Sequence, residues 1–204
     1  ITGSTGRGMF HQRLGRHWNL DPAGIDTLRR ALVLVADHEL NPSTFAARVA
    51  AGTGSSLAAC TLSGCATLTG PTHGEATAAA IAYLKDAHAN GAEAALASIA
   101  ARGQKVPAVG HALYPKGDPR AKALLGWLGL GTALKTAVKA AEQSVGDSSN
   151  IDMALAAMTL QFALPEDAPF LIFASGRMVG WIAHAIEQSV SGKQIRPRAQ
   201  FETP

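Results

Sequence analysis

The sequence predicts an all-α protein, and three observations carry that prediction. Apolar residues make up 47% of the 204 positions while aromatics make up only 5%, and much of the apolar share is alanine, the strongest helix former and a residue that buries little area. Apolar residues recur at helical spacing in segment after segment, cut by Gly, Pro and Asn breaks. No stretch alternates with period two, and no internal repeat stands out. The length suffices for a substantial core.

Taken in order, Phe10, Leu14 and Trp18 predict a short amphipathic helix. Asp21-Pro22 supplies an N-cap carboxylate and a first-turn proline for a helix carrying Ile25, Leu28, Leu32 and Val35. It runs into Ala36-Asp37-His38-Glu39-Leu40-Asn41-Pro42, where a further helix is expected to start behind Ser43 and to end at Gly52 and Gly54. Another follows through Leu57, Leu62 and Leu68. Thr72 can cap a helix from about 73 to 89, with Glu75 placed as in a capping box. Further helices are expected over 92–101, 121–128, 132–145 and from 150 to about 163. The last is a long apolar helix from Pro165 to Gly192, followed by a proline-extended tail.

The segment Gly110 to Ala121 breaks this pattern. Gly110, Pro115, Gly117 and Pro119 make it loop or turn, and it holds His111, Tyr114, Lys116 and Arg120. Elsewhere, too, polar functional groups sit at helix ends: His38, His73 and Asp152 all lie beside breaks. Two histidines and a carboxylate can serve as acid, hydrogen-bond donor and base, and arginines can grip the carboxylates of a di- or tricarboxylic acid. Each also has a purely structural reading: Asp152 as a first-turn carboxylate, His73 as a first-turn residue, Arg177 as a partner of helix-end carbonyls.

Several classes are disfavoured. The net charge of +3 comes from scattered Lys and Arg without interleaved aromatics, which does not indicate nucleic-acid binding. No His-x3-His or Cys-x2-Cys pair suggests a metal, and no dinucleotide, phosphate-loop or nucleophile-elbow motif is present. Arg177 within the longest apolar run, 170–186, argues for a buried helix rather than a membrane span. Cys60 and Cys65 form no disulfide framework, and no signal-peptide pattern opens the chain, so a cytoplasmic location is expected. The start at Ile1 in a Gly/Ser-rich lead suggests a fragment of a longer protein.

A set of motifs then goes further. Ala36 to Arg48, Gly70-Pro71-Thr72-His73-Gly74, Gly110-His111-Ala112-Leu113-Tyr114 with Asp118-Pro119-Arg120-Ala121, Asn150-Ile151-Asp152, Arg177 to His184, and Arg196-Pro197-Arg198 resemble, in order and spacing, the signatures of the citrate synthase family. The Ala-Leu-Tyr-Pro run resembles a divergent bacterial branch of that family. The resemblance implies a large helical domain and a smaller mobile one, over residues 1–74 and 164–204 and over 75–163 respectively, with the N-terminal part of the large domain missing. It implies condensation of acetyl-CoA with oxaloacetate to give citrate and CoA, or alternatively a methylcitrate synthase, a citryl-CoA lyase or a non-catalytic carboxylate- or CoA-sensing module.

Residue by residue, the resemblance gives His73 the thioester carbonyl, Asp152 the methyl proton and His111 the oxaloacetate ketone. His38, Arg120 and Arg177 would hold the oxaloacetate carboxylates, and Arg196 would reach into the site of a second subunit of a homodimer. Acetyl-CoA is implied as co-substrate with no resident cofactor and no metal. Pro115 stands where many members carry a cation that contacts CoA phosphate, and Lys116 follows one residue later as the candidate CoA contact. No membrane and no nucleic-acid partner are expected of this segment.

Overall fold

The computed structural model describes residues 6–70 and 76–199. These residues form ten helices and no strand; an isolated antiparallel bridge joins Val109 to Ser149. The helices are α1 (Phe10–His17), α2 (Pro22–Leu34), α3 (Pro42–Gly52), α4 (Leu57–Leu68), α5 (Ala76–Asn90), α6 (Ala92–Ala101), α7 (Pro119–Trp127), α8 (Thr132–Val145), α9 (Ile151–Gln161) and α10 (Ala168–Val190).

Several helix starts carry side-chain caps. The Asp21 carboxylate accepts from the Gly24 N–H at 2.7 Å, and the Ser56 hydroxyl accepts from the Ala59 N–H. Three expected starts are corrected. The cap of α3 is Asn41 rather than Ser43, because Asn41 Oδ1 accepts from the Thr44 N–H at 2.8 Å and Pro42 fits the first turn. Likewise α7 begins at Pro119 behind the Asp118 cap, two residues before the expected start. Pro165 lies in a turn closed by the Ala168 N–H on its carbonyl, and α10 starts only at Ala168. The proposed capping by Thr72 and Glu75 lies outside the described residues.

Helix α10 packs against α2, α3 and α4, while α9 packs against α5, α7 and α10. One apolar core runs through both groups, from Leu28, Ala31 and Val35 to Ala154, Ala157, Met158 and Ile172. Residues 153–159 of α9 are all buried, which is why that helix is apolar on every side. Helix α10 has the length and apolarity of a membrane span, yet Arg177 at its middle is fully buried and donates from Nε to the Val35 carbonyl at 2.8 Å. Its Gly180 meets the chain after α2 so closely that a Cβ would lie 2.2 Å from the Ala36 carbonyl oxygen. Both cysteines are free.

Candidate active site

A cleft opens between the end of α2, the start of α5, the loop after α6, and the starts of α7, α9 and α10. His38, Thr77, His111, Arg120 and Asp152 line it, with Phe173 among its apolar walls. The sequence places these residues far apart; the fold collects them because each sits at a helix start or on a turn leading into one. Gly110 illustrates how the loop is set. Its φ of 80° is costly for other residues, its N–H donates to the Ser148 carbonyl at 2.8 Å, and its carbonyl accepts from the Asn150 side-chain amide at 2.9 Å. The same Asn150 caps α9 by accepting from the Asp152 N–H at 3.0 Å. His111 and Asp152 are thereby fixed relative to one another.

Asp118 does comparable work for Arg120. Its Oδ1 accepts from Arg120 Nε at 2.9 Å and Oδ2 from Nη2 at 2.8 Å, while the Ile151 N–H adds a bond to Oδ2 at 3.0 Å. Burial opposes ionisation of Asp118, but its bonds to Arg120 and Ile151 outweigh that and hold its pKa below the usual carboxylate range. The guanidinium stacks over Tyr114 with its carbon 4.9 Å from the ring centroid. Its Nη1 is buried and has no hydrogen-bond partner among the described residues.

Arg177 is anchored in a similar way, fully buried beside His38. Nε is spent on the Val35 carbonyl, Nη2 donates to His38 Nδ1, the guanidinium lies 4.8 Å above Phe173, and Nη1 is buried without a partner among the described residues. An arginine can only donate, so His38 Nδ1 is the acceptor and its neutral ring carries the proton on Nε2. Burial first, and then the positive Arg177 and Arg120, lower the His38 pKa to about 3. His111 is set the same way: its Nδ1 accepts from the Leu113 N–H at 3.1 Å, leaving Nε2–H as donor. Burial and then Arg120 lower its pKa, against the opposing pull of Asp118 and Asp152. The two rings lie edge to face with centroids 6.0 Å apart.

Asp152 is the carboxyl group in this cationic surround. The protein enclosing it raises its pKa by desolvation, which a 2.5 Å bond from the Thr77 hydroxyl and the nearby Arg120 and His111 side chains counter in part. The Asp152 carboxyl group, the two neutral imidazoles and the Arg120 side chain therefore line one small space, with Arg177 bonded to the His38 ring. That arrangement can pair a base with donors for oxygen anions and with fixed positive charge for carboxylates.

The structure brings four of the expected residues, His38, His111, Arg120 and Asp152, into one cleft, and bonds Arg177 to His38 beside it. Lys116 is exposed and lines a separate hollow beside Lys122 and Ser148. Arg196 is exposed on the tail after α10 and does not line this cleft. His73 lies outside the described residues. Sequence reasoning did not assign Thr77, Asp118 or Phe173 a place here. Asp118 stood only within the Asp118-Pro119-Arg120-Ala121 motif, with no role of its own, and Thr77 and Phe173 carry no local signal at all. Among the described residues, no group of three or more His, Cys, Asp or Glu side chains is placed to hold a metal ion.

Fold and site together define an all-α protein with a cationic, imidazole-lined cleft around one enclosed carboxyl group. The chain belongs to the citrate synthase family: the family model for the citrate synthase C-terminal domain matches residues 7–198. Among curated relatives, the citrate synthase of Haloferax volcanii is 35% identical over 191 residues, covering 86% of this chain and 50% of that protein. The 2-methylcitrate synthase of Shewanella oneidensis is 32% identical over 183 residues, covering 84% of this chain and 48% of its own length. The chain thus spans about half the length of these relatives. Among solved structures, the citrate synthase of Thermoplasma acidophilum in ternary complex with carboxymethyl coenzyme A and oxaloacetate superposes with a TM-score of 0.81 at 27% identity. That match covers 98% of this chain and 58% of the other.

Proposed function

We propose that the protein carrying this chain condenses acetyl-CoA with oxaloacetate to give citrate and CoA. The observation that carries the reading is the convergence of Asp152, Arg120 and two neutral imidazoles on one cleft, with Arg177 bonded to one of those imidazoles. Oxaloacetate has two carboxylates for the guanidinium groups and a ketone for a neutral N–H donor. Membership of the citrate synthase family supports the same substrates.

In this reading His38, Arg120 and Arg177 hold the carboxylates, with both guanidinium groups already immobilised so that little ordering cost falls on binding. Asp152 removes a proton from the acetyl-CoA methyl group, and His73 stabilises the thioester oxygen as the enolate forms. The enolate carbon bonds to the ketone carbon of oxaloacetate. His111 Nε2–H polarises the ketone oxygen and passes it a proton as that bond forms; the proton taken by Asp152 balances the loss. Water then cleaves the thioester of citryl-CoA. Lys116 contacts the CoA phosphates, the domain over 75–163 closes to exclude water, and Arg196 completes the site of a second subunit in a homodimer.

Propionyl-CoA is the competing acyl donor, favoured by the 32% identity to the Shewanella oneidensis 2-methylcitrate synthase. A CoA thiol-release assay on the full-length protein with oxaloacetate and each acyl-CoA tests both readings. Release with acetyl-CoA supports the synthase, and preferential release with propionyl-CoA replaces the acyl group. Tight oxaloacetate binding by calorimetry without any thiol release replaces the enzyme with a binding module.

A further inference from the structure

Four consecutive residues of the segment that carries His38 touch one stripe of α10. Arg177 Nε donates to the Val35 carbonyl at 2.8 Å, the Ala36 carbonyl lies against Gly180, His184 Nε2 donates to Asp37 Oδ1 at 3.2 Å, and Arg177 Nη2 donates to His38 Nδ1. Residues 177, 180 and 184 share a helix face, so the segment is docked along two turns of α10. It needs such holding, because the next residue, Glu39, adopts a positive φ of 61° without being glycine.

The His184 end of this dock is polarised from behind. Arg48 on α3 donates from Nη1 to His184 Nδ1 at 3.1 Å. It is itself held by Glu187 and by Gln188 Oε1 at 3.2 Å. Because arginine cannot accept, His184 Nδ1 must, and the proton of the neutral ring falls on Nε2, facing Asp37. None of these four side chains lines the cleft.

We propose that His184, with its proton placed by Arg48, is a positioning residue for the carboxylate-binding site, acting through Asp37 to fix the backbone that presents His38. The proposal rests on the reading of His38 as an oxaloacetate ligand. It confines the effect to one substrate: loosening the 35–38 segment weakens the grip on oxaloacetate and leaves the acyl-CoA contacts alone.

The test compares His184→Leu, His184→Gln and Asp37→Ala in the full-length protein. His184→Leu is expected to raise the oxaloacetate KM about tenfold, the scale of one lost charge-assisted hydrogen bond, with the acyl-CoA KM unmoved. His184→Gln, whose amide can still donate to Asp37, recovers most of that loss. Asp37→Ala, at an exposed position, reproduces it and covers the case in which His184→Leu fails to fold. An unchanged oxaloacetate KM in folded Asp37→Ala, or an equal loss for both substrates, overturns the proposal. Histidine side-chain NMR separates this from failure of the assigned reaction. If wild-type protein binds no oxaloacetate, the functional reading falls, while an unperturbed His38 ring in Asp37→Ala independently overturns the positioning role.

Discussion

Asp118 grips Arg120 with both carboxylate oxygens, at 2.9 Å to Nε and 2.8 Å to Nη2, and so leaves Nη1 without a partner among the described residues. The same carboxylate accepts the Ile151 N–H at the start of the helix that bears Asp152. One side chain therefore sets the distance between the group proposed to bind substrate and the group proposed to take its proton.

Replacing Asp118 with Ala strands a buried guanidinium. The expected cost is about 3–5 kcal/mol of folding stability, the range for breaking a buried pair from one side, read from urea unfolding. Asp118→Asn keeps one acceptor and should unfold at higher urea than Asp118→Ala while still binding oxaloacetate less tightly than wild type.

Asp152→Asn separates stability from turnover. The raised pKa of Asp152 means that, between 3.8 and its higher folded value, the folded state holds a proton which the unfolded state has released, so this group costs stability as pH rises through that window. The Asn variant removes that penalty. Its melting temperature at pH 7 should equal or exceed that of wild type, while thiol release falls about 10²–10⁴-fold, the usual worth of a general base. Undiminished release would remove Asp152 from the mechanism.

His38 makes a pH prediction of its own. Its pKa falls from 6.5 in the unfolded chain to about 3 in the fold. Between those values the unfolded state binds a proton that the folded state refuses, so acid lowers stability through this residue from pH 6.5 downward. Above pH 6.5 the contribution is flat. His38→Gln should flatten the acid side of the stability profile, and side-chain NMR of wild type should show a neutral ring with Nε2–H from pH 5 to 8.

Gly180→Ala tests the close approach of α10 to the 35–38 segment. A Cβ 2.2 Å from the Ala36 carbonyl oxygen meets backbone, which yields less readily than a side chain. A loss of about 1–3 kcal/mol is expected from such overpacking, with weaker oxaloacetate binding because the displaced segment carries His38. Wild-type stability and binding in this variant would show that the contact can relax.

The local grammar of the chain was largely legible. Asp21-Pro22 announced a helix start, the 92–101 and 132–145 helices fall where spacing and breaks placed them, and Asn150 caps the helix it was expected to open. Proline was the weak point: Pro42 and Pro119 read as breaks but occupy first turns, and Pro165 read as a start but lies in a turn. A missing N–H is tolerated in a first turn and is equally at home in a turn, so proline marks a boundary without saying on which side the helix lies.

The amino-acid sequence by itself determined the all-α class, because alanine-rich 3.6-residue periodicity and capping signals act over a few residues. Its motifs also marked which imidazoles, carboxylates and guanidinium groups belong together. Only the tertiary structure decided their chemical state. The Nε2–H form of His38 comes from an arginine 139 residues away, and that of His111 from the turn of its own loop. The raised pKa of Asp152 comes from the protein that encloses it, and the fixed poses of the Arg120 and Arg177 guanidinium groups from the partners of their Nε and Nη2 atoms. Protonation and hydrogen-bond direction depend on distances of a few ångströms between segments far apart in the chain, and no local pattern encodes those distances.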